Sequence, residues 1–231
     1  MKKPIIIANW KMNPVSLGQA KKLFGAAESA AKRKKVKIVV CPPYPYLVPL
    51  QQMKKQLALG AQNCSWGAEG ALTGEVSPLQ LKNIGCSYVI LNHSERKKYL
   101  VERLNMIQKK IAAARKAGLL VVLCVENAAE LRTIKRKIKS FQNMVVVFEP
   151  SSAISTQGGK KITPENIAVM VEKMKRIAGR NVPLLYGGSV DAKSIGQIME
   201  RGKVQGALVG AASLQPREFL VLVKNAVFGK V

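Results

Sequence analysis

The chain has 231 residues, 48% of them hydrophobic, and its 38 Lys and Arg against 13 Asp and Glu give a formal net charge of +25. That length and apolar content build one sizeable core, and no apolar stretch is long enough to span a bilayer as a helix. Cys41, Cys64, Cys86 and Cys124 form no Cys-x-x-Cys pair and share the chain with a single histidine, so they make a poor zinc set and are expected as reduced, buried thiols.

Short β-rich apolar runs recur in chain order, separated by segments with apolar residues at three-and-four spacing. The first run, Pro4–Ala8, follows Met1-Lys-Lys, but its apolar stretch is too short for a secretory leader, so the reading is a cytoplasmic protein. A helix is expected over Ser16–Arg33, then a strand over Val36–Cys41, a loop at Pro42-Pro43, and a strand over Leu57–Ala61. Gly67–Ser77 reads as another loop, Tyr88–Leu91 as a strand, and Glu95–Lys116 as one long helix ended by Ala117-Gly118. A strand over Leu119–Cys124, a helix over Ala128–Phe141 and a strand over Met144–Phe148 follow. Thr163-Pro164-Glu165 combines a cap, a proline at the first helical position and an early carboxylate, opening a helix over Pro164–Ile177. The chain closes with strands Val182–Tyr186 and Gly206–Val209 and helices Ala192–Arg201 and Pro216–Val227.

The runs are continuously apolar instead of alternating, as suits parallel strands covered on both faces. Eight of them alternating with helices fit a single-domain α/β fold, a closed (β/α)8 barrel, with a doubly wound open sheet as the alternative. In such a barrel chemistry belongs at the C-terminal ends of the strands. Those ends carry Asn9 and Lys11, Gln62 and Asn63, His93 with Glu95, Glu149, Gly187-Gly188-Ser189, and Gly210-Ala211-Ala212. Each has a plainer reading: His93 a hydrogen-bonded structural histidine, Lys11 one more surface lysine, the glycine-containing loops mere tight turns. Glu149 is harder to dismiss, because a carboxylate ending Val145-Val-Val-Phe148 stands where desolvation is costly. After the last two strands, exposed N–H groups and a helix start can cradle a phosphate.

Taken together, Asn9-Trp-Lys-Met-Asn13, Gly60-Ala-Gln-Asn63, Leu72-Thr-Gly-Glu-Val-Ser-Pro78, Asn92-His-Ser-Glu-Arg96, Glu149-Pro150, Tyr186-Gly-Gly-Ser-Val190 and Leu208-Val-Gly-Ala-Ala-Ser-Leu214 stand in an order and spacing that resemble the triosephosphate isomerase family from end to end. The resemblance implies one TIM barrel domain over residues 1–231. It implies interconversion of dihydroxyacetone phosphate and D-glyceraldehyde 3-phosphate through an enediolate, in glycolysis and gluconeogenesis. By it Glu149 is the base, and His93, neutral at a helix N-terminus, polarises the carbonyl. Lys11 and Asn9 supply charge and a donor, Glu95 orients Lys11, and Ser155, Ser189, Gly210 and Ala211 receive the phosphate. No metal or organic cofactor is implied, since a proton shift needs only a base, an acid and charge stabilisation.

The same resemblance makes Thr73 the tip of a loop that reaches a partner subunit, giving a homodimer, with a tetramer left open. The family's lid reads Val-Trp-Ala-Ile-Gly-Thr-Gly after Glu-Pro; here it is Ser151-Ser152-Ala-Ile-Ser155-Thr-Gln157, which replaces the bulky hinge tryptophan and a glycine. Ala211 replaces the second glycine of a Val-Gly-Gly pair while keeping its N–H. Cys124-Val-Glu-Asn127 stands where the family has Cys-Val-Gly-Glu, so that a carboxylate that supports the lid is either shifted or absent, and the segment from Cys124 to Glu149 is short. Two rival readings stay open: a barrel of this descent serving another phosphorylated substrate, and a basic nucleic-acid-associated protein. No nucleic-acid module is recognisable and nucleic acid is not the expected partner, because the lysines lie along helix-like segments where charge runs are usually solvated faces.

Overall fold

The computed structural model describes residues 3–32, 35–150 and 162–228. Eight strands, β1 (Ile5–Asn9), β2 (Lys37–Cys41), β3 (Ala58–Ala61), β4 (Tyr88–Leu91), β5 (Leu120–Val125), β6 (Met144–Phe148), β7 (Leu184–Tyr186) and β8 (Gly206–Val209), close into a barrel in sequence order. Every neighbouring pair is parallel, and closure comes from β8 lying beside β1, with Ile5 opposite Gly206 and Ala8 opposite Val209. The open sheet is thereby set aside. The continuous hydrophobicity has a direct cause. Ile7, Val39, Ile90, Val122, Val147 and Leu208 fill the barrel interior. Their sequence neighbours, such as Ile6, Val40, Leu91, Val121 and Val146, face the helices in a second core. Both faces of each strand are dry.

The helices are α1 (Leu17–Ala31), α2 (Leu47–Met53), α3 (Pro78–Asn83), α4 (Ser94–Leu100), α5 (Leu104–Lys116), α6 (Ala128–Ile138), α7 (Pro164–Ala178), α8 (Ile195–Arg201) and α9 (Pro216–Phe228). Several starts follow from the sequence: the Ser16 side chain accepts from Gln19 N–H, and that of Thr163 accepts from Asn166 N–H ahead of Pro164. Gly118 and Gly179 take positive φ at the stops, as a Cβ-free residue can.

Three expectations are corrected. The long helix over 95–116 is two helices, because Val101 turns left-handed (φ 51°) and the chain swings Glu102 inward. There its carboxylate, 1% exposed, meets Arg96 Nε at 2.8 Å and the ammonium of Lys110, whose side chain is 2% exposed. The connections after the second and third strands, expected to be less helical, are loops at Pro42-Pro43 and Gly67–Ser77 but then carry the short helices α2 and α3. Ser77 and Gln80 form a reciprocal capping box for α3, written in the sequence as Ser-Pro-Leu-Gln. α8 begins at Ile195, not Ala192, since Asp191 and Ser194 bond each other's backbone N–H in a turn first. Other element ends differ by one to three residues. The four thiols are free and buried, and among the described residues no helix is long and apolar enough to cross a membrane.

Candidate active site

The C-terminal ends of the strands open onto a cavity of about 490 Å³, counting its open mouth. Asn9 and Lys11 line it from β1, His93 from β4, and Glu149 from β6. Gly187, Gly188 and Ser189 follow β7 into its wall, and Gly210, Ala211 and Ala212 follow β8. Ten of the strand-end residues singled out from sequence are thus brought to one place: Asn9, Lys11, His93, Glu149, Gly187, Gly188, Ser189, Gly210, Ala211 and Ala212.

Each polar group is held by the fold. Lys11 has φ 54° just past β1, a strained position fixed from two sides. Its N–H donates to Asn9 Oδ1 at 3.1 Å, and its carbonyl accepts from Gln62 Nε2 at 2.7 Å. Gln62 also donates to the Cys41 carbonyl at 2.9 Å, so one amide ties the ends of β1, β2 and β3 together. The ammonium of Lys11 lies 2.5 Å from Glu95 Oε1. Glu95 itself does not line the cavity; it sits behind the lysine and anchors it.

His93 is the N-cap of α4 and only 5% exposed. Its Nδ1 accepts the Glu95 backbone N–H at 3.3 Å, while Nε2 is 2.8 Å from Glu149 Oε1. A ring nitrogen that accepts an N–H carries no proton, so the imidazole is the neutral tautomer with its hydrogen on Nε2, facing the cavity. Glu149 is 3% exposed, and its Oε2 accepts the Ser94 N–H at 3.1 Å. Its buried negative charge is therefore satisfied by a helix-terminal N–H and an imidazole. Burial first, and then the Glu149 carboxylate, push the Cys124 thiol beneath it well above the usual thiol range.

Asn92 takes φ 63°, as an asparagine can, and its amide donates to the Cys124 carbonyl at 2.7 Å and to Glu130 Oε1 at 2.8 Å. Glu130 also takes Lys97 at 2.9 Å and the Glu126 N–H at 2.7 Å. Asn127 caps α6 by accepting from the Glu130 N–H. Position 127 thus holds an amide that caps α6, and the carboxylate one helical turn on, Glu130, is taken up by Asn92, Lys97 and the Glu126 N–H.

The wall opposite Glu149 is built for close approach. A Cβ on Gly187 would lie 2.6 Å from Val147 Cγ1, too close for the valine to stay in place, and in van der Waals contact with Glu149 Cβ at 3.4 Å, so any larger residue would shift the strand that carries Glu149. Gly210 passes into a 3₁₀ turn over Ala211–Leu214, and Ser213 N–H and Oγ both bond the Gly210 carbonyl. The first N–H groups of such a turn have no carbonyl within it, and they border the cavity with Ser189. A buried carboxylate, a neutral imidazole donor, a fixed ammonium and a small-residue wall can together move a proton beside a carbonyl while holding an anionic group.

Two expectations fall elsewhere. Thr73 lies on an exposed loop, residues 68–75, outside the cavity. Ser155, with Ser151, Ser152 and Gln157, lies outside the described residues. Sequence reasoning missed Ser94, whose N–H holds Glu149, and the role of Gln62, which only the closure of the barrel makes apparent. Among the described residues no group of three or more His, Cys, Asp or Glu could hold a metal ion.

Comparison with known proteins agrees with this geometry. A family model described as triosephosphate isomerase matches residues 4–226. Curated proteins named triosephosphate isomerase from Shewanella oneidensis and from Shewanella sp. strain ANA-3 are each 34% identical over 254 residues, covering 96% of this chain and 96% of theirs. The same figures hold for the relative of that name from Shewanella baltica strain OS185. An alignment of 254 positions is longer than the 231-residue chain, as a compact member of such a set requires.

Proposed function

The chain belongs to the triosephosphate isomerase family, and from that premise we propose that it interconverts dihydroxyacetone phosphate and D-glyceraldehyde 3-phosphate with Glu149 as the base. The enzyme is an intramolecular aldose–ketose isomerase. The assignment of base and neutral histidine follows what is known of the family; what supports it in this chain is the pairing of Glu149 with the protonated Nε2 of His93 at 2.8 Å in the strand-end cavity.

The ketone carbonyl takes over the Nε2–H hydrogen bond that Glu149 accepts, which frees the carboxylate to reach the adjacent carbon. Glu149 removes a proton from C1, the C1–H electrons form a C1–C2 double bond, and the carbonyl electrons move onto oxygen. His93 polarises that oxygen and passes a proton between the two enediolate oxygens. Protonated Glu149 then returns its proton to C2, giving the aldehyde. Lys11 and the Asn9 amide stabilise the developing oxyanion, and Glu95 keeps the lysine from swinging away. Ser189 and the N–H groups of Gly210 and Ala211 receive the phosphate, with Ser155 completing the set from the lid. No step calls for a metal or organic cofactor.

The activity fits a cytoplasmic enzyme of glycolysis and gluconeogenesis, with residues 1–231 as one barrel unit. The exposed loop bearing Thr73, together with exposed Met12 and Leu72, supports a homodimer in which that loop enters the partner. A coupled assay on wild type and Glu149→Gln tests the reading. Turnover of both triose phosphates by wild type, with loss of at least about 10³-fold in the variant, is expected; a wild type silent toward both, but stabilised thermally by another phosphometabolite, would move it to a different substrate.

A further inference from the structure

Charge on this barrel is segregated along its axis. The parallel topology sends the chain outward at the mouth and back through the helices, which feed the next strand at the opposite rim: α5 ends at Lys116 before β5 at Leu120, and α7 ends at Ala178 before β7 at Leu184. The connections that enter strands at that rim, 32–36, 54–57, 84–87, 117–119, 139–143, 179–183 and 202–205, contain no Asp or Glu. The connections at the mouth hold Glu69, Glu75, Glu126, Glu149 and Asp191.

The rim between β5 and β7 shows what the cations there do. Arg115 donates to the Ser140 carbonyl, Lys135 to the Ile177 carbonyl and Lys175 to the Lys203 carbonyl, closing helix ends of neighbouring units. That is the ordinary use of basic residues at helix C-termini. Lys116, Arg136, Lys137, Lys139 and Arg180 stand on the same rim, all exposed, and helix capping does not account for them. Few carboxylates stand near this end: Glu172 lies 3.9 Å from Arg176 in α7, and Glu200 precedes Arg201 at the end of α8. Glu28 spends its oxygens on the backbone N–H groups of Lys55 and Gln56, at 2.7 and 3.0 Å. Beside the cations, at the start of the strands, lies a recess of about 900 Å³ counting its open side; its floor is apolar, Ile5, Leu120, Met144 and Val145 among it, and Lys37, Gln142, Asn143 and Asn181 are the polar groups in its wall. Amides next to a row of cations match a chain of phosphates and sugars. The exposed large apolar side chains of the described residues, Met12, Trp66, Leu72 and Tyr99 among them, all lie outside these connections. The rim therefore has nothing to insert into a lipid surface.

We propose that the rim opposite the catalytic mouth binds the phosphate backbone of nucleic acid, without reading base sequence. The location of the mouth rests on the isomerase reading; the binding does not. Binding and catalysis use opposite ends of the barrel, so both proceed at once.

The test is fluorescence anisotropy of a labelled 20-nucleotide single-stranded RNA titrated with the full-length protein between 50 and 200 mM KCl. Five backbone contacts on a single strand predict a slope of log K against log salt of about −3.5. Neutralising the rim (Arg136→Gln, Lys137→Gln, Lys139→Gln, Arg180→Gln) should weaken binding at least about tenfold and flatten the slope by about 2 to 3. Removing the same number of exposed cations elsewhere (Lys21→Gln, Lys22→Gln, Lys98→Gln, Arg217→Gln) should change affinity by less than about threefold. Equal loss in both variants, no binding by wild type at 150 mM salt, or RNA acting as a competitive inhibitor of isomerisation would each overturn the proposal. So would rim-dependent capture by phosphatidylserine vesicles without RNA binding, which would point to a membrane surface. A protein inactive on triose phosphates that still binds RNA through the rim would refute the isomerase reading alone.

Discussion

Replacing Lys110 by methionine tests the buried charge cluster under the third loop. The ammonium is 2% exposed, contacts Glu102 Oε1, and donates to Asn63 Oδ1 at 3.0 Å. Methionine fills the space but strands Glu102, whose side chain is 1% exposed and whose Oε2 is already without a partner. Breaking a buried pair from one side costs about 3–5 kcal/mol. Arg96, 28% exposed, stays 2.8 Å from the carboxylate and retains part of its compensation, which places the expected loss at the lower end, about 3 kcal/mol. For a chain of this size that is a fall in Tm of roughly 6–12 °C. Thermal unfolding followed by circular dichroism reads it. Lys110→Met combined with Glu102→Gln removes the stranded charge and should recover more than half of the loss. A single variant that melts within 2 °C of wild type, or a double variant at the sum of two large losses, would refute the reasoning.

Three further outcomes are expected. Lys11→Met removes the fixed cation from the cavity and the ammonium that Glu95 holds, so kcat/KM should fall about 10³-fold while Tm moves little; steady-state kinetics and a melt together check it. Gly187→Ala puts a methyl 2.6 Å from Val147 Cγ1 and 3.4 Å from Glu149 Cβ, so activity should drop at least about tenfold for a stability loss of about 1–3 kcal/mol. Burial pushes the Cys86 thiol from 9.0 up to about 11 and that of Cys64 up to about 12, and holds Cys41 and Cys124 well above the usual range. The unfolded chain ionises these thiols first, so stability is full below pH 9.0 and declines as pH rises toward 11 and 12. Urea unfolding at pH 8 and 10.5 reads that slope, and thiol labelling at pH 8 should occur only as the protein unfolds.

The strands were legible because both faces of a parallel barrel are dry, so β4, β6 and β8 coincide with their apolar runs residue for residue. Ends were less so. Val182-Pro183 reads as strand, yet proline lacks the N–H a ladder needs and β7 starts at Leu184. The break at Val101 left no local signal in residue type, since a left-handed valine is unfavourable by itself and is held by the Val101 and Glu102 N–H groups on the Arg96 carbonyl and by the pull of Arg96 and Lys110 on the buried Glu102 carboxylate. The cavity residues could be found because each ends a strand, and in a closed barrel strand ends converge. What supports them, Gln62 bridging three strands and Ser94 N–H holding Glu149, depends on distances that spacing does not encode. Asn92 lies between: its tolerance of positive φ was readable, but not its bonds to Cys124 and Glu130.

The most direct test of Glu149 as the base is solvent-deuterium incorporation into dihydroxyacetone phosphate during turnover, compared between wild type and Glu149→Gln by NMR. The account predicts that wild type exchanges the C1 hydrogen as it isomerises, and that the variant, folded by circular dichroism, loses exchange and isomerisation together by at least about 10³-fold. Exchange at the wild-type rate in Glu149→Gln would contradict it.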